Sequence, residues 1–231
     1  MIEMSAYTAY RCPSCASTAP GMLWRQTEAY CEDCGSHPAA QCPLCDEVID
    51  LVFTEADRLI DATAYGRAVE FAAGAHGAID QRRKYSGEAY IVHPLAVARL
   101  VRELEQHTEA MLVAAVLHDV VEDTPVKRGH LEMEFGSEVL VLVDWLTDIS
   151  TPPDGNRALR KAKNRLHLAM APADAKTIKL ADLLDNGVSI RKHDPDFWRV
   201  YRAEALRLLE VMKQGDSGLW LRVEAMCSED S

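Results

Sequence analysis

The stretch Met111-Leu-Val-Ala-Ala-Val-Leu117-His118-Asp119-Val-Val-Glu122-Asp123-Thr124 decides how this chain is read. Its first seven residues are apolar on every side, which predicts a helix inside a core. Thr108 stands where an N-cap belongs, with Glu109 in the first turn. Then the character changes, and an imidazole and three carboxylates follow. At about 100° per residue, His118, Asp119, Glu122 and Asp123 fall within an arc of about 140°. Charge inside a core has to be neutralised, and three acids at a helix C-terminus oppose its dipole. A frayed, solvated helix end is the bland reading and a costly one. A bound divalent cation answers both difficulties.

Outward from this segment the chain reads as helical. Thr54 can cap a helix to about Gly74. Pro94 suits the first position of another, to about Gln106. The helix capped by Thr108 comes next, and later helices are expected near 137–147, 157–170, 173–186, 196–213 and 218–226. No strand alternation is convincing in this part. Two polar features stand out in it. Tyr90-Ile-Val-His93-Pro94 sets an imidazole just before a helix start, and Asp182 and Asn186 lie one helical turn apart.

Composition bounds the class. The 231 residues are 48% hydrophobic and 26% charged, enough for a sizeable core. A net charge of −11 argues against a general nucleic-acid or anionic-membrane binder. No run approaches eighteen apolar residues, so no transmembrane helix is expected. Met1-Ile-Glu-Met4 has neither a basic nor an apolar leader region, so no secretory signal is read and the cytoplasm is the expected compartment.

Residues 1–50 are different. They hold turn formers and three C-x-x-C pairs: Cys12/Cys15, Cys31/Cys34 and Cys42/Cys45, with Cys227 alone near the end. Without an export signal such pairs argue for metal thiolates over disulfides. Cys12, Cys15, Cys31 and Cys34 have the spacing of a four-cysteine zinc site. Cys42 and Cys45 then belong to a second site with His37 and one more ligand, or replace one of the other pairs. Metal binding would supply the folding free energy of so small a module. A site of four cysteines is closed, so a structural role is expected for the zinc. Two basic against seven acidic residues make this module a poor nucleic-acid reader. Protein contact or structural support fits it better, and the oligomeric state is left open.

Three segments together resemble the HD superfamily of metal-dependent phosphohydrolases: Ser86-Gly-Glu-Ala-Tyr-Ile-Val-His93-Pro94, Leu117 to Thr124, and Lys179-Leu-Ala-Asp182 with Asn186. Within it they are similar to the Rel/SpoT-type guanosine-3′,5′-bis(diphosphate) 3′-pyrophosphohydrolases, especially the small stand-alone ones. The similarity covers about residues 60–215. It implies an all-α HD domain, placed over residues 51–231, and leaves out residues 1–50, which the cysteine pairs make a small zinc-ribbon-like module.

The resemblance implies metal ligands at His93, His118, Asp119 and Asp182, with manganese as the usual ion. Zinc or iron would also accept such a mixed nitrogen and oxygen set. It implies a catalytic acidic pair at Glu122 and Asp123, and nucleotide contacts at Asn186 and Ser189. Arg82-Arg-Lys84 matches the basic stretch that meets substrate phosphates, with Arg83 or Lys84 as the contact. The implied partner is a small nucleotide, with (p)ppGpp the leading substrate. An adenosine alarmone, a nucleoside phosphate or a phosphorylated dinucleotide cofactor are the alternatives, as is a nucleotide sensor without catalysis. Leu183 and Asp185 stand where the long bifunctional members carry Arg and His, and Ala89 where a proline is typical. His76, His107, His130, His167 and His193 are read as structural.

Overall fold

The computed structural model describes residues 4–33, 35–52, 54 and 56–228. The chain divides into two compact units, Met1–Ala75 and His76–Ser231.

In the first unit, β1 (Ala9–Arg11) pairs antiparallel with β2 (Thr18–Pro20). A second antiparallel sheet has the order β3 (Arg25–Cys31), β4 (Gly35–Gln41), β5 (Val48–Asp50). The composition changes near residue 50, at the end of β5, but the first unit runs on to Ala75, beyond the expected boundary, with Leu51 and Leu59 in its core. A small core gathers Tyr10, Ala19, Trp24, Ala40, Ile49 and Leu59, and the Trp24 indole N–H donates to the Ala19 carbonyl at 3.3 Å.

The helix expected from Thr54 begins ten residues later, as α1 (Ala64–Gly77). The cause is Asp61. Its carboxylate accepts from the Thr18 hydroxyl at 2.6 Å and from the Thr63 amide and hydroxyl at 3.1 and 2.6 Å. Its own amide donates to the Ala9 carbonyl. The segment is thereby tied to the strands. Thr63 then acts as the cap, its hydroxyl accepting from the Gly66 amide at 3.1 Å. Gly66 lies so close that a Cβ would sit 1.9 Å from the Asp61 carbonyl oxygen. Burial raises the Asp61 pKa, but the Thr18 and Thr63 hydrogen bonds outweigh it and hold the carboxyl below its ordinary value.

The second unit is helical: α2 (Val92–Arg102), α3 (Glu109–Leu117), α4 (Val120–Asp123), α5 (Arg128–Leu146), α6 (Arg157–Ala169), α7 (Ala173–His193), α8 (Pro195–Leu209) and α9 (Ser217–Ser228). The Thr108 hydroxyl accepts from the Met111 amide at 3.1 Å, so the expected cap is in place. Every residue from Met111 to Leu117 is buried, and α3 packs against α2, α5 and α7. Expected boundaries shift at two glycines. Gly136, at φ +83, interrupts α5, so a reading that begins at residue 137 finds only its second half. Gly187 lies inside α7 and does not end it. A Cβ there would stand 2.4 Å from Met226, so the glycine admits α9. Among the described residues, no helix is long and apolar enough to cross a membrane.

Candidate active site and metal centres

Three helices of the second unit aim polar groups at one point. His93 is the second residue of α2, His118 and Asp119 follow the last residue of α3, and Asp182 sits in the buried middle of α7. His93, His118 and Asp182 are all buried, and each offers an atom within 4.8 Å of the others. His93 Nε2 lies 3.2 Å from Asp182 Oδ1 and 3.8 Å from Asp119 Oδ2. His118 Nε2 lies 3.1 Å from Asp119 Oδ2 and 3.8 Å from Asp182 Oδ1. None of these approaches has hydrogen-bond geometry, so both Nε2 atoms are buried without a hydrogen-bond partner among the described residues. Two orphaned imidazole nitrogens facing two carboxylates fit a divalent cation with nitrogen and oxygen preference.

The remaining atoms of the cluster are held from outside. The Tyr90 hydroxyl donates to Asp119 Oδ2 at 2.6 Å. Lys179 Nζ lies 2.7 Å from Asp182 Oδ2, and Asn186 Nδ2 donates to Asp182 Oδ1 at 2.6 Å. His118 Nδ1 meets the Ala115 carbonyl at 2.8 Å. His93 Nδ1 meets Asp185 Oδ2 at 2.6 Å. Such partners fix the orientation of ligating rings. Burial pulls the His93 pKa down, yet Asp182 and Asp185 outweigh it and lift it to about 9. Asp119 raises His118 in the same way, against burial. Burial likewise raises Asp119 and Asp182, but the charges of His118 and Lys179 hold them well below the usual carboxylate range.

The other expected residues surround this cluster. Glu122 is exposed, and its Oε2 accepts from the Asp148 amide at 3.0 Å. Crowding by the protein, together with the Asp148 and Asp119 charges, raises its pKa. Asp123, also exposed, accepts from Gln81 Nε2 at 2.7 Å, and Gln81 in turn meets His76 Nδ1 at 2.6 Å. Arg83 and Lys84 part company. Arg83 turns inward, donating to Asn186 Oδ1 at 3.0 Å and Asp185 Oδ2 at 3.2 Å. Lys84 is 72% exposed and reaches Asp194. Ser189 lies two turns along α7 from Asp182, half-buried. Beside Lys179, Asp182 and Asn186 opens a cavity of about 430 Å³, which Arg157, Lys161, Arg165 and Arg207 also line. The sequence reading missed these cations. For Arg157, Lys161 and Arg165 the signal was the segment Arg157 to Arg165, with five basic residues and no acid.

Among the histidines read as structural, His107, His167 and His193 each meet a backbone carbonyl, and His130 is exposed. His76 differs. It is buried against Tyr90, and its Nε2 has no hydrogen-bond partner among the described residues.

In the first unit the cysteine grouping is corrected. Cys12, Cys15, Cys42 and Cys45 form one cluster with all four sulfurs within 4.8 Å of one another. Cys12 Sγ is 3.8 Å from Cys45 Sγ, and Cys15 Sγ is 3.9 Å from Cys42 Sγ. A tetrahedron of zinc–sulfur bonds about 2.3 Å long has edges of about 3.8 Å, so the spacing fits. Each pair sits on the same turn. The Ala16 amide returns to the Cys12 carbonyl and Asp46 to Cys42, with Ala16 at φ 57 and Asp46 at φ 59. Cys31 ends β3, paired with Gly35 at the far end of the hairpin from Gln41. Six residues of strand put it about 20 Å away. Cys34 lies outside the described residues. The signal for the right grouping was in the sequence. Cys12-Pro13 and Cys42-Pro43 open matching knuckles, while Cys31 is followed by Glu32. Burial pushes the Cys42 thiol up to about 12, while Cys15, despite burial, is lowered to about 7 by hydrogen bonds from Ser17.

A helical core that converges two imidazoles and two carboxylates on one point defines the class. The HD domain profile matches residues 68–209, and the chain belongs to that family. The particular relatives are guanosine-3′,5′-bis(diphosphate) 3′-pyrophosphohydrolases. The one named MESH1 from Homo sapiens is 37% identical over 142 residues, which cover 59% of this chain and 75% of the human protein. A probable enzyme of that name from Synechocystis sp. is 44% identical over 124 residues, covering 52% of this chain, but the match spans only 16% of that longer protein. A solved structure described as a metazoan ortholog of SpoT that hydrolyzes ppGpp has a TM-score of 0.64 at 29% identity, covering 72% of this chain and 94% of that one.

Proposed function

We propose that this chain is a metal-dependent phosphohydrolase that removes the 3′-pyrophosphate from guanosine-3′,5′-bis(diphosphate) or its 5′-triphosphate counterpart, leaving GDP or GTP. The observation that carries this reading is the buried cluster of His93, His118 and Asp182, with two orphaned Nε2 atoms. Similarity to MESH1 from Homo sapiens supports the choice of substrate.

His93, His118, Asp119 and Asp182 hold the cation, read here as manganese. When bound, such an ion acidifies a water and draws charge from phosphoryl oxygens. The rest falls to the chain. Glu122 gives its carboxyl proton to the leaving 3′-oxygen, a role its raised pKa suits. Asp123, held by Gln81, orients the attacking water. Arg83, Asn186 and Ser189 bind the nucleotide, with Lys84 as an outer phosphate contact. Five cations around the cavity, counting Lys179, against the acids Asp148, Asp182 and Glu204, suit a polyphosphate in a chain that is otherwise acidic. Zinc on Cys12, Cys15, Cys42 and Cys45 is structural, because four thiolates leave no open position. A cytoplasmic setting keeps those thiols reduced.

The test is turnover of ppGpp with manganese, read by product identity. GDP plus pyrophosphate is expected. Preference for an adenosine alarmone, a nucleoside phosphate or a phosphorylated dinucleotide cofactor would move the chain elsewhere among HD phosphohydrolases. Tight binding of ppGpp without cleavage would make it a sensor.

A further inference from the structure

Asp185 is used by no step above, yet it touches two parts of the site. On α7, Asp182, Asp185 and Asn186 stand at i, i+3 and i+4, and so share one face. The two carboxylates face opposite nitrogens of one ring. Asp182 Oδ1 approaches His93 Nε2 at 3.2 Å, and Asp185 Oδ2 meets His93 Nδ1 at 2.6 Å. The His93 side chain is fully buried, so it finds no water to replace either partner. The same Asp185 oxygen receives Arg83 Nη2 at 3.2 Å, while Arg83 Nη1 rests on Asn186 Oδ1.

We propose that Asp185 is a positioning residue that couples the metal ligand His93 to the phosphate clamp Arg83. A carboxylate on Nδ1 keeps that nitrogen as the N–H, which leaves the Nε2 lone pair for the cation and stops the ring from turning. The second contact parks the Arg83 guanidinium beside the site, where an arriving phosphate can take it over. The Arg83 side chain is 16% exposed and that of Asp185 24%, so neither is sealed from solvent. The inference rests on the reading of His93 as a metal ligand.

The experiment titrates manganese into the full chain and reads free Mn²⁺ by electron paramagnetic resonance, for the unaltered protein, D185A, D185N and H93A. Loss of a carboxylate behind a ligating histidine typically weakens metal binding about 10–100-fold, and D185A should fall in that range. D185N keeps an acceptor oxygen for Nδ1–H and should recover part of the loss. Turnover by D185A should fail at limiting manganese and return at saturating manganese, a rescue that a packing role would not give. If D185A does not fold, the near-isosteric D185N carries the test, with severalfold weaker binding expected. Unaltered affinity in D185A, or in D185N where it stands alone, beside weakened H93A overturns the role of Asp185 and leaves the metal site standing. Unaltered affinity in H93A overturns the metal site and this proposal with it.

Discussion

The two candidate metal centres are built in opposite ways. The thiol cluster joins two short, self-similar knuckles, each closed by its own backbone turn. Around it are a handful of buried residues and strands of three to seven residues. The imidazole–carboxylate cluster draws single residues from the ends and middle of long helices, over a core that includes the wholly buried Met111–Leu117. In the first case a metal on the proposed zinc site would make the fold. In the second the fold makes the site, because the ligand candidates sit on elements of a helical core. Loss of a ligand should therefore have different consequences in the two units.

The largest effect is expected from Cys42→Ser. In small zinc modules, binding on the order of 10–16 kcal/mol is folding free energy. The variant should lose its zinc, and the strand residues of the first unit should lose NMR dispersion. Cys31→Ser should keep one equivalent of zinc, and zinc loss there would break the grouping. In the other unit, Asp119→Ala should abolish turnover with the helical fold intact. The thermal midpoint of its metal-free form should fall only modestly, because His118 and Tyr90 lose the Asp119 carboxylate while the buried Met111–Leu117 core is untouched. A sharply lower midpoint would erase the contrast between the units.

Glu122→Gln sharpens the account further. It keeps hydrogen-bonding capacity but cannot deliver a proton. General acid catalysis is worth about 10²–10⁴-fold, so kcat should fall at least about a hundredfold, roughly 3 kcal/mol of barrier, with manganese still bound. Collapse of metal content would place Glu122 among the ligands. A smaller effect is expected at Asp61. Its folded pKa lies below its unfolded value of about 3.9. It therefore stabilises the first unit above that pH, and the contribution is lost as pH falls through the folded pKa. Asp61→Asn should cost about 1–3 kcal/mol at neutral pH, from loss of hydrogen bonds to a charged acceptor, and should flatten the acid limb when the Trp24 indole NMR signal is followed. The least effect is expected from Lys84→Ala, an exposed cation on a surface pair. It should leave the thermal midpoint unchanged and raise KM much less than Arg83→Ala does.

Much of the helical unit was legible because its signals are local and mutually consistent. Thr108 caps, Met111–Leu117 is apolar throughout, and the residues of three separated segments, His93, His118 with Asp119, and Asp182, meet in space. What escaped depends on distant partners. Thr54 and Thr63 are both acceptable caps, and the bonds from Asp61 to Thr18 and Ala9 favour Thr63. Gly187 resembles a helix stop until Met226 is seen against it. Asp185 and Gln81 belong to no motif of side-chain spacing; their roles come from contacts 92 and 42 residues away. The cysteine grouping was legible in the repeated Cys-Pro, but spacing alone favoured the wrong pair.

Crystals of the full chain grown with manganese and measured for anomalous scattering test the central claim most directly. A manganese peak is expected among His93 Nε2, His118 Nε2, Asp119 and Asp182, and a separate zinc peak within the four sulfurs. Saturating manganese with no peak at the imidazole–carboxylate cluster, or a manganese peak only at the cysteines, would contradict it.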